Sequence, residues 1–296
     1  MLDKKPKFAI FLAAKDGMPW LSRQIESIER QNNVNYKLFI NLDISKDNSI
    51  FFLNEKIKKN KNIRLFISKY RIGSPAKNFF WMIKNINFKK FDYLAFSDQD
   101  DIWFKNKLIY AHKAIIKNNA QGYSSNLITF EEGKKKYYLK KDYVQKKFDY
   151  LFESVGAGCT FVLKKDSAII FKNFLIKNWK KINNINNHDW FIYAFYRFYN
   201  WIWFCDKKYT IYYRQHKKNF LGANINFSSY IKRTKLIFTG WYSREIKKIY
   251  NILISENKNN KLIDIYSNFE VIKNINETRR RLRDRLVLLV LSLIHI

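Results

Sequence analysis

The sequence predicts an α/β fold: a mixed, mainly parallel sheet flanked by helices, with a helical extension at the carboxyl end. Apolar runs of strand length alternate with segments of helical periodicity, which favours a doubly wound sheet. Strand-like runs end in acids at Asp16, Asp43 and Asp98, and the carboxyl rim of such a sheet is where ligands bind. The 296 residues, 47% hydrophobic and 18% aromatic, suffice for a buried core and exclude an intrinsically disordered chain.

Taken in order, Phe8 to Ala14 reads as a central strand, and Pro19 with Trp20 opens a helix on which Leu21, Ile25 and Ile28 recur at helical spacing. Tyr36 to Leu42 is the second strand, followed by a helical stretch to about Lys59 and a third strand from Ile63 to Ile67. A loop with Gly73, Ser74 and Pro75 leads into a helix carrying Phe79, Phe80 and Ile83. Tyr93 to Phe96 is the fourth strand. Its apolar run stops at Asp98-Gln-Asp-Asp101, and helical spacing resumes from Lys105. Strands or irregular structure are expected over Gly122 to Tyr138, with a basic hairpin at Gly133 to Lys136. In Ser154-Val-Gly-Ala-Gly-Cys-Thr-Phe-Val-Leu163 glycines give way to a β-rich run, as at a close backbone approach to a ligand or at an ordinary turn. An aromatic helix starts at Asn187-His-Asp189 and runs to about Tyr199. Trp201 to Cys205 and Tyr209 to Tyr213 read as two strands, the second ending in Arg214-Gln-His216. Beyond about Phe227 the chain turns helical and Lys-rich.

A formal charge of +31 calls for a polyanionic neighbour, although a compositional bias towards Lys, Asn, Ile, Phe and Tyr produces the same number. The two cysteines, Cys159 and Cys205, have no metal-ligand spacing and point to a reducing compartment. The apolar run before Lys15 is too short for a convincing signal peptide, and no segment reaches the roughly 18 apolar residues of a membrane span. Arg279 to Arg285 followed by Leu286 to Ile296 suits an interfacial helix. Ser292 to Ile296 resembles a translated sequencing adapter, which leaves the native carboxyl end open.

The densest chemistry lies at Asp98, Asp100 and Asp101. Asp98 and Asp100 are two apart, so on extended backbone they face one way and could share a divalent cation with a phosphate; all-oxygen ligands suit Mg²⁺ or Mn²⁺. The same acids also suit a solvated turn with a helix cap. Asp16, Asp43 and Asp98 are each ordinary turn residues taken singly, but together they would line one rim, where carboxylates accept from a ribose or a base. Asp189 falls in the first turn of its helix, where the dipole favours an acid. His216 stands beside Arg214 at a strand end, and the loop Lys217, Lys218, Asn219 and Gly222 is built to close over phosphates.

These motifs, Phe96-Ser-Asp-Gln-Asp-Asp-Ile-Trp103 with Lys107-Leu108, His188-Asp-Trp190, and Tyr213-Arg-Gln-His216 with Asn219 and Gly222, resemble the family 2 glycosyltransferases of the GT-A fold. Within them the match is to the bacterial rhamnosyltransferase-like group, over roughly residues 6 to 225. The resemblance implies that Ala13 to Asp16, with Ala14 among them, and Asp43 hold the base and ribose. It implies that Asp98 and Asp100 bind the metal, Asp100 directly, that His216 contacts metal or diphosphate, and that Asp189 is the catalytic base. Arg214 joins them as a donor-binding candidate. Two positions depart from the family pattern: Ala14-Lys15 replaces the usual Tyr-Asn, and Leu42-Asp43 replaces paired acids.

The resemblance also implies a nucleotide-sugar donor, with dTDP-rhamnose first, Mg²⁺ or Mn²⁺ as cofactor, and a saccharide or lipid-linked saccharide acceptor. The enzyme is then expected in the cytoplasm, peripheral on the anionic inner face of the membrane. The expected division is a catalytic domain over residues 1–226 and a basic helical extension over 227–296. A nucleic-acid-binding protein would explain charge and aromatics but leaves the acids without a purpose, so no nucleic acid is expected. A metal-dependent phosphohydrolase could use Asp-x-Asp, but one relying on a nucleophilic Asp places that pair after its first strand.

Overall fold

The computed structural model describes residues 4–216, 240–255 and 268–294. Its centre is a nine-stranded sheet. The first half alternates as expected: β1 (Lys7–Ala14), α1 (Leu21–Glu29), β2 (Asn35–Leu42), α2 (Ser49–Lys59), β3 (Ile63–Ile67), α3 (Pro75–Asn85) and β4 (Tyr93–Ser97). These strands lie parallel in the order β3-β2-β1-β4, with Phe8 opposite both Tyr36 and Tyr93. Consecutive strands β1 and β2 sit on one side and β4 on the other, so β1 and β4 flank a topological switch point, where a crevice opens at the strands' carboxyl ends.

The second half continues the sheet through β8 (Val162–Lys164), β6 (Gly122–Phe130), β9 (Trp203–Arg214) and β5 (Ile102–Trp103), with β7 (Tyr137–Leu139) paired to β6. Here directions mix: β8 runs antiparallel to β4 and β6, whereas β6 and β9 are parallel. The basic hairpin expected at Gly133 to Lys136 joins β6 to β7, with Gly133 at a positive φ of 75°. Trp201–Cys205 and Tyr209–Tyr213 are not two strands. From Trp203 on they form the single β9, whose register against β6 slips between Ser125 and Ile128, because Lys207 and Lys208, between the paired Asp206 and Tyr209, are absorbed as a bulge rather than a turn. Gly122 makes this pairing fit, since a Cβ there would lie 2.2 Å from the Trp203 ring.

Period-two alternation gives each sheet face its own core. Ala9, Phe11, Leu94 and Phe96 point to a face covered by α3, α6 (Lys165–Lys177) and α8 (His188–Phe198). Phe8, Ile10, Leu12, Tyr93 and Ala95 point to the face covered by α1 and α4 (Lys107–Lys117). Leu21, Ile25 and Ile28 are fully buried on α1, as their spacing predicts. Rings dominate the first core: Phe11 meets Phe39, Phe88 and Phe96 edge-on, each burial being worth about 1.5–3 kcal/mol before packing terms.

Beyond the sheet the chain adds α5 (Asp149–Phe152), α7 (Trp179–Ile182), α9 (Trp241–Ile254), α10 (Asn268–Lys273) and α11 (Leu282–Ile294). Ile249, Leu253, Val271 and Leu288 of the extension join the α8 side of the core. Among the described residues no helix is long and apolar enough to cross a membrane.

Candidate active site

A cleft of about 410 Å³ opens at the carboxyl ends of β1 and β4. Ala13, Ala14, Lys15 and Asp16 line it from β1, Asp43 from the end of β2, and Asp98 and Asp100 from the loop after β4. Ala157, Gly158, His188 and Asp189 line it as well, so residues about ninety positions apart in sequence converge on one cavity. The Lys217 to Gly222 loop expected to close over phosphates lies outside the described residues.

Asp43 is 3% exposed, and its carboxylate is already organised: Oδ1 accepts from the Ile72 amide at 2.9 Å and Oδ2 from the Gly73 amide at 3.0 Å. It thereby holds the Gly73–Ala76 wall, which continues into α3 through a Ser74 cap accepting from the Lys77 amide. Asp16 has a positive φ of 46°, and its Oδ1 accepts from the Lys46 amide. Gln99, between the two cleft acids, both donates to the Lys15 carbonyl (2.9 Å) and accepts from the Lys15 amide (2.7 Å), locking the acidic loop to β1. Spacing alone gave no sign of this clamp, since its partners are 84 positions apart.

Asp100 is buried and held from two sides. Its carboxylate meets His216 Nε2 at 2.7 Å, and its carbonyl accepts from Arg214 Nε at 3.0 Å. His216 stacks on Trp20 with ring centroids 3.9 Å apart, which fixes the imidazole against the cleft floor. Arg214 does not line the cleft. It is 2% exposed, lies over the Phe130 ring and pairs with Glu132 at 2.6 Å, so the structure places it beneath Asp100 as a support.

Concentrated negative charge is the electrostatic signature of this floor. Burial, then the charges of Asp100 and Asp189, push the Asp98 carboxyl up to about 7. Asp101 is 1% exposed, and burial, then the charges of Asp100 and Asp98, raises its carboxyl well above the usual range, opposed by the Cys159 thiol and the Arg214 amide. Lys107 is equally buried, its Nζ 4.2 Å from the Trp103 ring centroid, and burial lowers it to about 7. Among the described residues the tightest potential ligand group is Asp98, Asp101 and the Cys159 thiol, with ligand atoms within 4.8 Å of one another. Asp101 and the Cys159 thiol do not line the cleft, whereas Asp98 and Asp100 do; their oxygens are the hard donors that Mg²⁺ or Mn²⁺ takes, and a divalent cation there would relieve the repulsion that raises Asp98, so these two carboxylates fit one.

In the same cleft Asp189 sits in the first turn of α8, its Oδ1 accepting from the Trp190 amide at 2.8 Å. Burial raises its pKa, opposed by that amide and by the Ser154 hydroxyl. His188 is held down to about 3 by burial and is therefore neutral, packed 4.4 Å from the Phe79 ring. In the glycine-rich stretch the close approach is to the protein's own side chains. A Cβ on Gly158 would lie 2.5 Å from His188 Nε2 and 3.2 Å from the Asp189 Cβ, so only glycine lets this loop meet the start of α8.

Comparison with known proteins adds relatives to this geometry. The profile described as Glycosyl transferase family 2 matches residues 10–215. The dTDP-rhamnosyl transferase RfbG of Shigella flexneri is 38% identical over 288 residues, covering 96% of this chain and all of that protein. The Escherichia coli UDP-Glc:alpha-D-GlcNAc-diphosphoundecaprenol beta-1,3-glucosyltransferase WfgD is 28% identical over 146 residues, 48% of this chain and 54% of that one. Among solved structures, S. aureus TarS 1–349 in complex with UDP aligns with a TM-score of 0.56 at 12% identity, covering 97% of this chain and 88% of its own. The mannosyltransferase PcManGT from Pyrobaculum calidifontis, in complex with GDP-Man and Mn²⁺, gives 0.53 at 9% identity, with 99% and 87% coverage.

Proposed function

This chain belongs to glycosyl transferase family 2 and to its rhamnosyltransferase-like group, and we propose that it moves rhamnose from dTDP-rhamnose to a saccharide acceptor by a metal-assisted, inverting displacement. The observation that carries this reading is the convergence of Asp98, Asp100 and Asp189 on a single cleft. The near full-length relationship to a dTDP-rhamnosyl transferase supports the donor, and a role in cell-surface polysaccharide synthesis is the reading we attach to it.

Asp98 and Asp100 would hold a Mg²⁺ or Mn²⁺ ion, which when bound supplies charge to the leaving diphosphate. The protein's own groups do the rest. Asp43 and the Gly73–Ala76 wall bound the nucleotide end of the cleft, with Ala14 and Asp16 beside Asp43: the Asp43 amide donates to the Ala14 carbonyl at 2.8 Å. Asp189 takes the proton of the incoming hydroxyl, and neutral His188 beside it adds no competing positive charge. One in-line displacement with a base on the face opposite the leaving group inverts the anomeric centre. His216, pinned between Trp20 and Asp100, orients the carboxylate, and Arg214 fixes the backbone beneath it.

A donor screen tests this. With Mn²⁺, dTDP-rhamnose is expected to raise the melting temperature more than UDP-glucose, UDP-N-acetylglucosamine or GDP-mannose, a ligand at 100 times its Kd adding about 2.7 kcal/mol. Equal shifts for all four, or shifts that ignore metal, would remove the donor assignment.

For the acceptor we favour a lipid-linked saccharide met at the membrane surface. Leu282, Leu286 and Val290 recur every fourth residue on α11 and are 64%, 55% and 54% exposed, an apolar stripe on a helix whose first turns carry Arg283 and Arg285. Such a helix lies in an anionic interface, each nearby cation contributing about 1 kcal/mol. The protein is expected to pellet with phosphatidylglycerol vesicles at low salt, and Leu286→Glu to weaken pelleting without changing donor-dependent stabilisation. No pelleting at low salt would refute peripheral attachment.

A further inference from the structure

The first arginines of the basic run do not face outward. Arg280, its side chain only 4% exposed, turns into the protein and spreads its guanidinium over the loop between α5 and β8. Nη2 donates to the Ser154 carbonyl at 2.6 Å, and Nη1 to the Val155 carbonyl at 3.0 Å and the Lys141 carbonyl at 3.3 Å. Nε donates to Glu153 Oε1 at 3.2 Å and lies 3.6 Å from Asp149, while the Arg280 amide also donates to Glu153 at 2.6 Å. Next to it, Arg279 Nη1 donates to the Phe152 carbonyl and to the Tyr242 hydroxyl of α9.

These bonds fall on the segment that meets the proposed base. Gly158, four residues beyond Ser154, packs against His188 and Asp189, and Ala157 and Gly158 are the cleft wall beside them. Asp149, the other partner of Arg280, accepts from Tyr193 at 3.0 Å and pairs with Arg197 at 3.1 Å, both on α8, the helix whose first turn carries Asp189. One guanidinium therefore ties the loop on one side of Asp189 to the helix on the other. Its planar fork suits carbonyls of adjacent residues, which an ammonium on a flexible stem cannot span.

We propose that Arg280 is a positioning residue for the transfer reaction: held in the carboxyl-terminal extension, it sets the 153–158 loop against α8 and so aims the Asp189 carboxylate into the cleft. This rests on Asp189 being the base. The extension is then part of the catalytic unit rather than only an appendage. A misplacement of a reacting group by about 1 Å can cost about 10²-fold in rate, whereas Asp43 and the Gly73–Ala76 segment, which also line the cleft, receive none of the Arg280 bonds.

The test is a kinetic double-mutant cycle on the full chain, following nucleoside diphosphate release from dTDP-rhamnose, or from whichever of the three other nucleotide sugars named above the wild type turns over with Mn²⁺. Arg280→Met is expected to lower kcat about 10²-fold with the donor KM within about twofold, and to add no more than about threefold in an Asp189→Asn background. Arg280→Lys keeps the charge, guards against a folding failure, and is expected to lose about tenfold in kcat at a near-normal melting temperature. Equal losses in both backgrounds, a change confined to KM, or Arg280→Lys at wild-type kcat would overturn the positioning role and leave the base intact. Full turnover by Asp189→Asn alone would instead overturn the base.

Discussion

Asp189→Asn is expected to reduce kcat by about 10²–10⁴-fold while donor binding stays within about twofold of wild type. The separation follows from where the carboxylate stands. Asparagine keeps the Oδ1 that accepts from the Trp190 amide at 2.8 Å, so the start of α8 and its contact with Gly158 persist. What disappears is the second, basic oxygen in the cleft that Asp189 shares with Asp98 and Asp100. A pH signature accompanies it. Burial raises Asp189 above the ordinary carboxylate value, and only the deprotonated form accepts a proton, so kcat falls as pH drops through that raised value. Asparagine does not titrate, and the residual rate of the variant should lack that acid limb. Rates across pH 5 to 8, set beside thermal shifts with dTDP, check both statements; full turnover in the variant would transfer the proton to another group.

Much of this site was legible before folding, because its acids stand at strand ends and helix starts, which local patterning locates. The apolar run closed by Asp98 to Asp101 became β4 and the cleft floor, and Asp43 ended β2, as the alternation required. The legibility stops where placement depends on long-range packing. Trp20 on His216 and Gln99 on Lys15 are pairings that no periodicity encodes. Arg214 read as a phosphate ligand because it follows a strand beside a histidine. Its partner Glu132 comes from the far end of β6, visible only once β6 and β9 lie side by side. The basic run at Arg279 to Arg285 divides for the same reason. Glu153, Asp149 and Asp284 capture some of its guanidinium groups, and Arg283 stays largely exposed on a helix whose apolar stripe faces solvent. Composition could count those charges but could not say which were already paired.

Asp98→Asn and Asp100→Ala are both expected to remove metal-dependent donor stabilisation and to cut turnover about 10³-fold or more, as several kcal/mol of leaving-group stabilisation is lost. Heat stability of the free protein should separate them. Folding holds the Asp98 carboxyl at about 7, through burial and then through Asp100 and Asp189, well above its ordinary value. The folded state therefore binds this proton more tightly, and stability contributed by the protonated form is lost as pH rises through that window. Asparagine never pays that ionisation penalty, so Asp98→Asn should be about 0.5–2 kcal/mol more stable than wild type at pH 8 without metal, the gap narrowing below pH 7. Asp100→Ala gains no such advantage. It relieves one charge but strips His216 Nε2 of the carboxylate 2.7 Å away and loosens the stack on Trp20. Metal-free melting curves at pH 6 and pH 8 decide between these signs, and an Asp98→Asn protein no more stable than wild type at pH 8 would show that the cleft floor is not under the electrostatic load described here.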